Sequence, residues 1–97
     1  MTEQQLQSKI IKYLKEEGWE VGKIMVMSEP GWPDLICCRG GDTVFIEVKK
    51  PGGKLRKIQE YRIARLRDRY IPVYIIDNIA DIELMSEKHY RSHKEIG

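Results

Sequence analysis

The spacing of apolar residues changes from segment to segment along the chain, and each change marks an element. Leu6, Ile10, Tyr13 and Leu14 fall at i, i+4, i+7 and i+8 in an otherwise polar stretch, the period of a helix with one buried stripe. Thr2 and Gln5 have capping-box spacing at its start, Glu3 suits the positive end of its dipole, and Gly18 stops it. Trp19 to Met27 alternates loosely and is rich in Ile, Val and Met, which predicts a strand with Met25 and Met27 in the core. Two prolines and a glycine make residues 28–33 a loop. Leu35–Cys38 and Thr43–Lys49 predict two further strands, the second broken by Pro51-Gly52-Gly53. Leu55 to Tyr70 predicts a second helix with Gln59, Ile63, Leu66 and Tyr70 on one stripe. Val73 to Ile76 is a continuous apolar run, the pattern of a strand covered on both faces. Asp77 to Lys88 predicts a short helix around Ile79, Ile82 and Leu84, and the residues from His89 read as a polar tail.

The order α-β-β-β-α-β-α predicts an α/β (α+β) fold in which helices flank a mixed central sheet. Ninety-seven residues suffice for one such domain, placed at 1–88, with 89–97 as its C-terminal tail.

One local signal fixes more than the rest. Gly40-Gly41 tolerates the positive φ angles of a two-residue hairpin loop. Facing positions then sum to 81, so that Arg39 meets Asp42, Cys37 meets Val44, Leu35 meets Ile46 and Asp34 meets Glu47. Two carboxylates thereby lie opposite one another on one face, roughly 5 Å apart at Cβ. Lys49 projects from the same face, two residues beyond Glu47. Opposed like charges are destabilising unless a cation lies between them, so the pattern outlines a divalent-metal site with a lysine beside it.

Charge adds a second feature. Residues 49–70 hold nine Lys/Arg and two acids, a balance of +7, against +2 for the whole chain. Lys50, Lys54, Arg56, Lys57, Arg62, Arg65 and Arg69 are the candidate DNA-binding residues, the last three as a charged helix ridge. A merely solvated helix face is the plain alternative. Cys37 and Cys38 are adjacent and suit neither a disulfide nor a metal pair. No apolar run approaches the ~18 residues of a membrane span, and no signal-peptide core is present, so the expected location is cytoplasmic.

Phosphodiester hydrolysis needs an activated water, neutralisation of phosphate charge and stabilisation of the departing oxygen, all within reach of Mg²⁺ or Mn²⁺ held by oxygen ligands. Asp34, Glu47 and the Val48 carbonyl are the candidate ligands. Lys49 can orient the nucleophile and offset developing charge. Glu3 can extend the site from its helix, and Gln59 can bond Lys49 or a substrate phosphate. Trp32 either stacks on a base or caps the core. His89 and His93 have i, i+4 spacing but lie in a segment that reads as tail. Taken singly, Pro-Asp is usually a turn and Glu-x-Lys an exposed strand face. Their combination across a hairpin of matched length favours a site.

Gly31-Trp32-Pro33-Asp34, then Glu47-Val48-Lys49, then Gln59 in a helix leading to an apolar strand, resembles the PD-(D/E)-x-K nuclease superfamily, with its restriction-endonuclease-like core. Within it the chain is similar to the virus-type replication-repair nuclease (VRR-NUC) family, over roughly residues 3–85. The resemblance implies that Asp34, Glu47 and Lys49 form the catalytic core, joined by Glu3 and Gln59. It implies a Mg²⁺- or Mn²⁺-dependent endonuclease for branched DNA, similar to Holliday-junction resolvases and acting as a homodimer, with a phage or bacterial source. Two alternatives stay open: a non-catalytic nucleic-acid-binding module on the same fold, and a restriction-type endonuclease, for which 97 residues leave little room to read bases.

Overall fold

The computed structural model describes residues 1–96, with side chains described as far as His89. Its elements are α1 (Glu3–Glu16), β1 (Glu20–Lys23), β2 (Leu35–Arg39), β3 (Asp42–Val48), α2 (Lys57–Arg67), β4 (Val73–Ile76) and α3 (Ile79–Ile96). The order is the expected α-β-β-β-α-β-α. The four strands lie in the spatial order β1-β2-β3-β4. The first three are antiparallel, and β4 runs parallel to β3 with α2 as the crossover between them.

Gly40 and Gly41 both have positive φ, 58° and 89°, and the β2–β3 register follows: Leu35 faces Ile46, Cys37 faces Val44, and Arg39 faces Asp42. Alternation along these strands divides the core in two. Leu35, Cys37, Val44, Ile46 and Val48 pack against Leu6, Ile10 and Leu14 of α1 and Ile82 and Met85 of α3. On the opposite face, Phe45 and Val73 pack against Ile63 and Leu66 of α2. The Thr2–Gln5 capping box closes the start of α1, at 2.8 and 3.1 Å.

Several expectations are corrected. β1 ends at Lys23, not Met27, so Met25 and Met27 are 80% and 44% exposed rather than in the core. Tyr70 is not on the α2 stripe. The helix ends at Arg67, and Tyr70 adopts a left-handed φ of 62° with its ring 94% exposed. β4 is an edge strand and is not covered on both faces, for Ile75 is 41% exposed. Among the described side chains of α3 the buried ones are Ile82, Met85 and Ser86, while Leu84 faces solvent.

The helix also continues past Lys88 through Ile96. His89 belongs to the packing rather than to a tail: Nδ1 lies 2.9 Å from Asp42 Oδ2 and Nε2 lies 2.8 Å from the Tyr74 hydroxyl. These contacts explain its position as a structural clasp. The side chain of His93, four residues further on, lies outside the described residues.

Arg39 fastens the same end of the sheet. Its guanidinium donates to the Glu17 and Ser86 carbonyls at 2.8 and 2.6 Å and lies over the Trp19 ring. No helix among the described residues is long and apolar enough to cross a membrane.

Ile10 is fully buried and Val26 is 90% exposed. Urea unfolding should therefore show a loss of roughly 2–5 kcal/mol for Ile10→Ala and a change within about 0.5 kcal/mol for Val26→Ser. Equal losses in the two variants would contradict this packing.

Candidate active site

β2 begins at Leu35, one residue after Asp34, and the hairpin is closed there by a side chain. The Asp34 carboxylate accepts a hydrogen bond from the Val48 N–H at 2.7 Å. Asp34 is thus tied to the strand that carries Glu47 and Lys49. Extended backbone directs a residue's N–H and C=O to the same edge, so the Val48 carbonyl also faces the Asp34 side. The Lys49 N–H points the other way, to the Ile76 carbonyl at 2.9 Å.

Glu47 is 2% exposed. Lys49 Nζ lies 3.3 Å from its Oε2, and Gln59 Nε2 donates to the same oxygen at 3.2 Å. Gln59 therefore holds Glu47, where bonding to Lys49 or to a phosphate had been expected. The other end of its amide is also used, since Gln59 Oε1 accepts from the Arg56 N–H at the start of α2, at 2.8 Å. The amide is fixed at both ends. The remaining carboxylate oxygen, Glu47 Oε1, is buried with no hydrogen-bond partner.

Electrostatics follow from this burial. Desolvation, and next the charge of Asp34, push the Glu47 carboxyl up to about 7, against the opposing pull of Lys49. Desolvation also raises Asp34 from its ordinary value, with Glu3 adding to it and the Val48 N–H and Lys49 working against it. Two carboxylates that resist ionisation, one with an orphaned oxygen, fit a hard cation with oxygen ligands. Glu3 comes to the rim: its carboxylate accepts from the Lys50 N–H at 3.4 Å and lines one cleft with Asp34. Among the described residues no group of three or more His, Cys, Asp or Glu side chains is gathered closely enough to hold an ion. The candidate ligand set is thus Asp34, Glu47 and the Val48 carbonyl, with Glu3 outside the inner group.

The loop that delivers Asp34 is clamped by α2. Gly31 has φ 89° and packs so tightly on the Ile58 carbonyl that a Cβ there would collide with it. Arg62 is only 7% exposed; it pairs with Glu29 at 2.9 Å, reaches the Pro30 carbonyl at 3.4 Å and lies over the Trp32 ring at 5.3 Å. Arg62 is therefore not part of an exposed basic ridge, because its guanidinium is engaged with the loop. Lys50, Lys54, Arg56, Lys57, Arg65 and Arg69 remain exposed. The Glu29–Arg62 clamp was missed from sequence because its partners are 33 residues apart and no local pattern links them. Burial pushes the Cys37 thiol up to about 12, which removes it as a nucleophile, and both cysteines are free.

The VRR-NUC domain family profile matches residues 2–78, which include Glu3, the carboxylates, Lys49 and Gln59. A solved structure described as a VRR-NUC domain superposes with a TM-score of 0.81 at 24% identity, covering 93% of this chain and 100% of its own. No curated protein matches the sequence. The chain belongs to the VRR-NUC family, a family of nucleases.

The direction of the Glu47 shift has a measurable consequence. Its ordinary value is 4.5 and its folded value about 7, so between these limits the folded protein binds a proton that the unfolded chain does not. Stability from this group is present below about pH 4.5 and is lost as pH rises towards 7. In EDTA, Glu47→Gln should match the wild-type Tm near pH 5 and exceed it progressively up to about pH 7. A difference that stays constant with pH would contradict the shift.

Proposed function

We propose that the protein is a Mg²⁺- or Mn²⁺-dependent DNA endonuclease that acts on branched or four-way-junction DNA as a homodimer. The observation that carries this reading is the buried, unpartnered Glu47 Oε1 beside the Lys49 ammonium and the Asp34 carboxylate. A structural ion pair would leave no oxygen unmatched, since each buried polar atom without a partner costs stability.

The Asp34 and Glu47 carboxylates and the Val48 carbonyl would hold the ion, with Glu3 available at the rim. When bound, a divalent cation of this kind neutralises phosphate charge and makes water a better nucleophile near neutral pH. Lys49, tethered to Glu47 Oε2, would keep its ammonium against a non-bridging phosphate oxygen or orient the attacking water. Gln59 is a positioning residue: fixed by the Arg56 N–H, it holds Glu47 in one rotamer. The exposed cations Lys50, Lys54, Arg56, Lys57, Arg65 and Arg69 would carry the phosphate backbone away from the site. Two symmetric cuts across a junction need two such sites related by a twofold axis, which a C₂ dimer supplies.

The test is cleavage of a synthetic four-way junction beside a linear duplex of the same sequence, in Mg²⁺, Mn²⁺ or EDTA. Paired nicks on the junction alone, lost in EDTA, are expected. Asp34→Ala and Lys49→Ala should each reduce cleavage by about 10²–10³-fold, the scale of losing a group that stabilises the transition state, with DNA binding retained. Retained cleavage in either variant would overturn the assignment of the site, and equal cutting of both substrates would overturn the junction preference.

A further inference from the structure

Beside the carboxylates lies a surface that the chemistry above does not use. Residues 24–27 continue from β1 without regular structure, and the Ile24 N–H still reaches the Asp34 carbonyl at 2.8 Å. Beyond it, Met25, Val26 and Met27 are 80%, 90% and 44% exposed. Three consecutive large apolar side chains in water, next to an edge strand, form a patch that soluble folds ordinarily suppress.

This ridge separates two clefts. One, of about 360 Å³, is lined by Met25 and Lys23 on one side and by Glu3 and Asp34 on the other. The second, of about 310 Å³, lies between Ile24–Met27 and Gly31–Trp32. Met25 therefore walls both the cleft of Glu3 and Asp34 and a cleft lined in part by an indole. That indole is held in place, with Phe45 5.9 Å from its centroid and the Arg62 guanidinium at 5.3 Å.

We propose that the second cleft receives one unstacked nucleobase beside the scissile phosphate, and that Met25 and Val26 take its place against the neighbouring base pair. The inference rests on the nuclease reading above and names the substrate feature that the site selects. A phosphate seated at Asp34 brings the adjoining nucleotide to the ridge, because Met25 borders both the cleft of Asp34 and Glu3 and the second cleft. The exposed lysines Lys50 and Lys54 follow Glu47 and Lys49 in the chain and suit the phosphates, whereas the ridge and Trp32 offer a base an apolar and aromatic surface, with Glu29, paired to Arg62, at the polar side of the cleft. Stacking of that kind accepts any base. Unstacking is costly within a continuous duplex and less so where stacking or pairing is already interrupted, and a branch point interrupts continuous stacking, so the cleft would favour branch points without reading sequence. Apolar side chains inserted at a base step are an established way of stabilising such distortion.

The test uses a four-way junction with 2-aminopurine at the branch nucleotide, bound in EDTA so that no cleavage occurs. Binding of the wild type should change the emission by at least about threefold, with no such change when the same base sits in the middle of an arm. Met25→Ser/Val26→Ser, and Val26→Ser alone, should leave emission close to that of free DNA while circular dichroism melts stay unchanged. An equal emission change in wild type and variants would overturn the inference. So would a wild-type dimer that sedimentation equilibrium shows to become monomeric on substitution, since the ridge would then be a contact between copies. Because this assay involves neither metal nor bond cleavage, its failure leaves the nuclease reading standing. An emission change without cleavage in Mg²⁺ or Mn²⁺ would support the base site and defeat the catalytic reading alone.

Discussion

Glu47 is almost wholly withdrawn from water, and one of its oxygens has no partner. A carboxylate in that position is expensive unless its surroundings compensate it, and much of the local architecture is explained by that requirement. Lys49 compensates it from two residues along the same strand. Gln59 compensates it from α2 while also satisfying the first turn of that helix. Asp34 is held next to it by the Val48 N–H, which prevents the like-charged pair from separating. α2, β3 and the residues preceding β2 therefore converge on one acid, and the site is an extension of the way the sheet is closed.

What could be read from the chain divides along physical lines. The Gly40-Gly41 turn sets the β2–β3 register through local φ preferences alone, and with it the placement of Glu47 and Lys49 on one face. α1 was likewise legible, because a capping box and a regular stripe are short-range features. The residues that misled were those whose surroundings come from distant chain. Met25 and Met27 have strand composition but lie beyond the last residue of β1, and composition cannot say where pairing stops. Arg62 has the spacing of a solvated ridge, yet Glu29 and Trp32 take it out of solvent. His89 follows a polar run and still packs, because Asp42 and Tyr74 are brought to it by the sheet. Tyr70 continues the α2 period by spacing, but the helix has already ended at Arg67.

In the function proposed above, affinity for nucleic acid and chemistry at phosphorus fall to different surfaces of this small domain. The exposed cations of residues 50–69 surround α2 and the turn before it, while the carboxylates lie at the end of the sheet beneath. The loop that carries Trp32 and Asp34 joins these regions. Because Gly31 is pressed onto the α2 backbone and Arg62 grips Glu29 and Pro30, the loop and the helix are one mechanical unit. A load applied by DNA to the outer face of α2 would be transmitted to Asp34 without passing through a flexible joint.

The clasp at the other end of the sheet has a different consequence. Arg39 and His89 bind the β2–β3 turn to α1 and α3, about 17 Å of extended strand away from Asp34. Little in that cluster touches the carboxylates. Evolution or a protein engineer therefore has an independent reserve of robustness in this domain: substitutions around Arg39, Asp42 and Ser86 can raise or lower tolerance to heat while the electrostatics at Glu47 are left alone. A nuclease whose active centre is intrinsically destabilising can in this way drift in catalytic character without losing its fold.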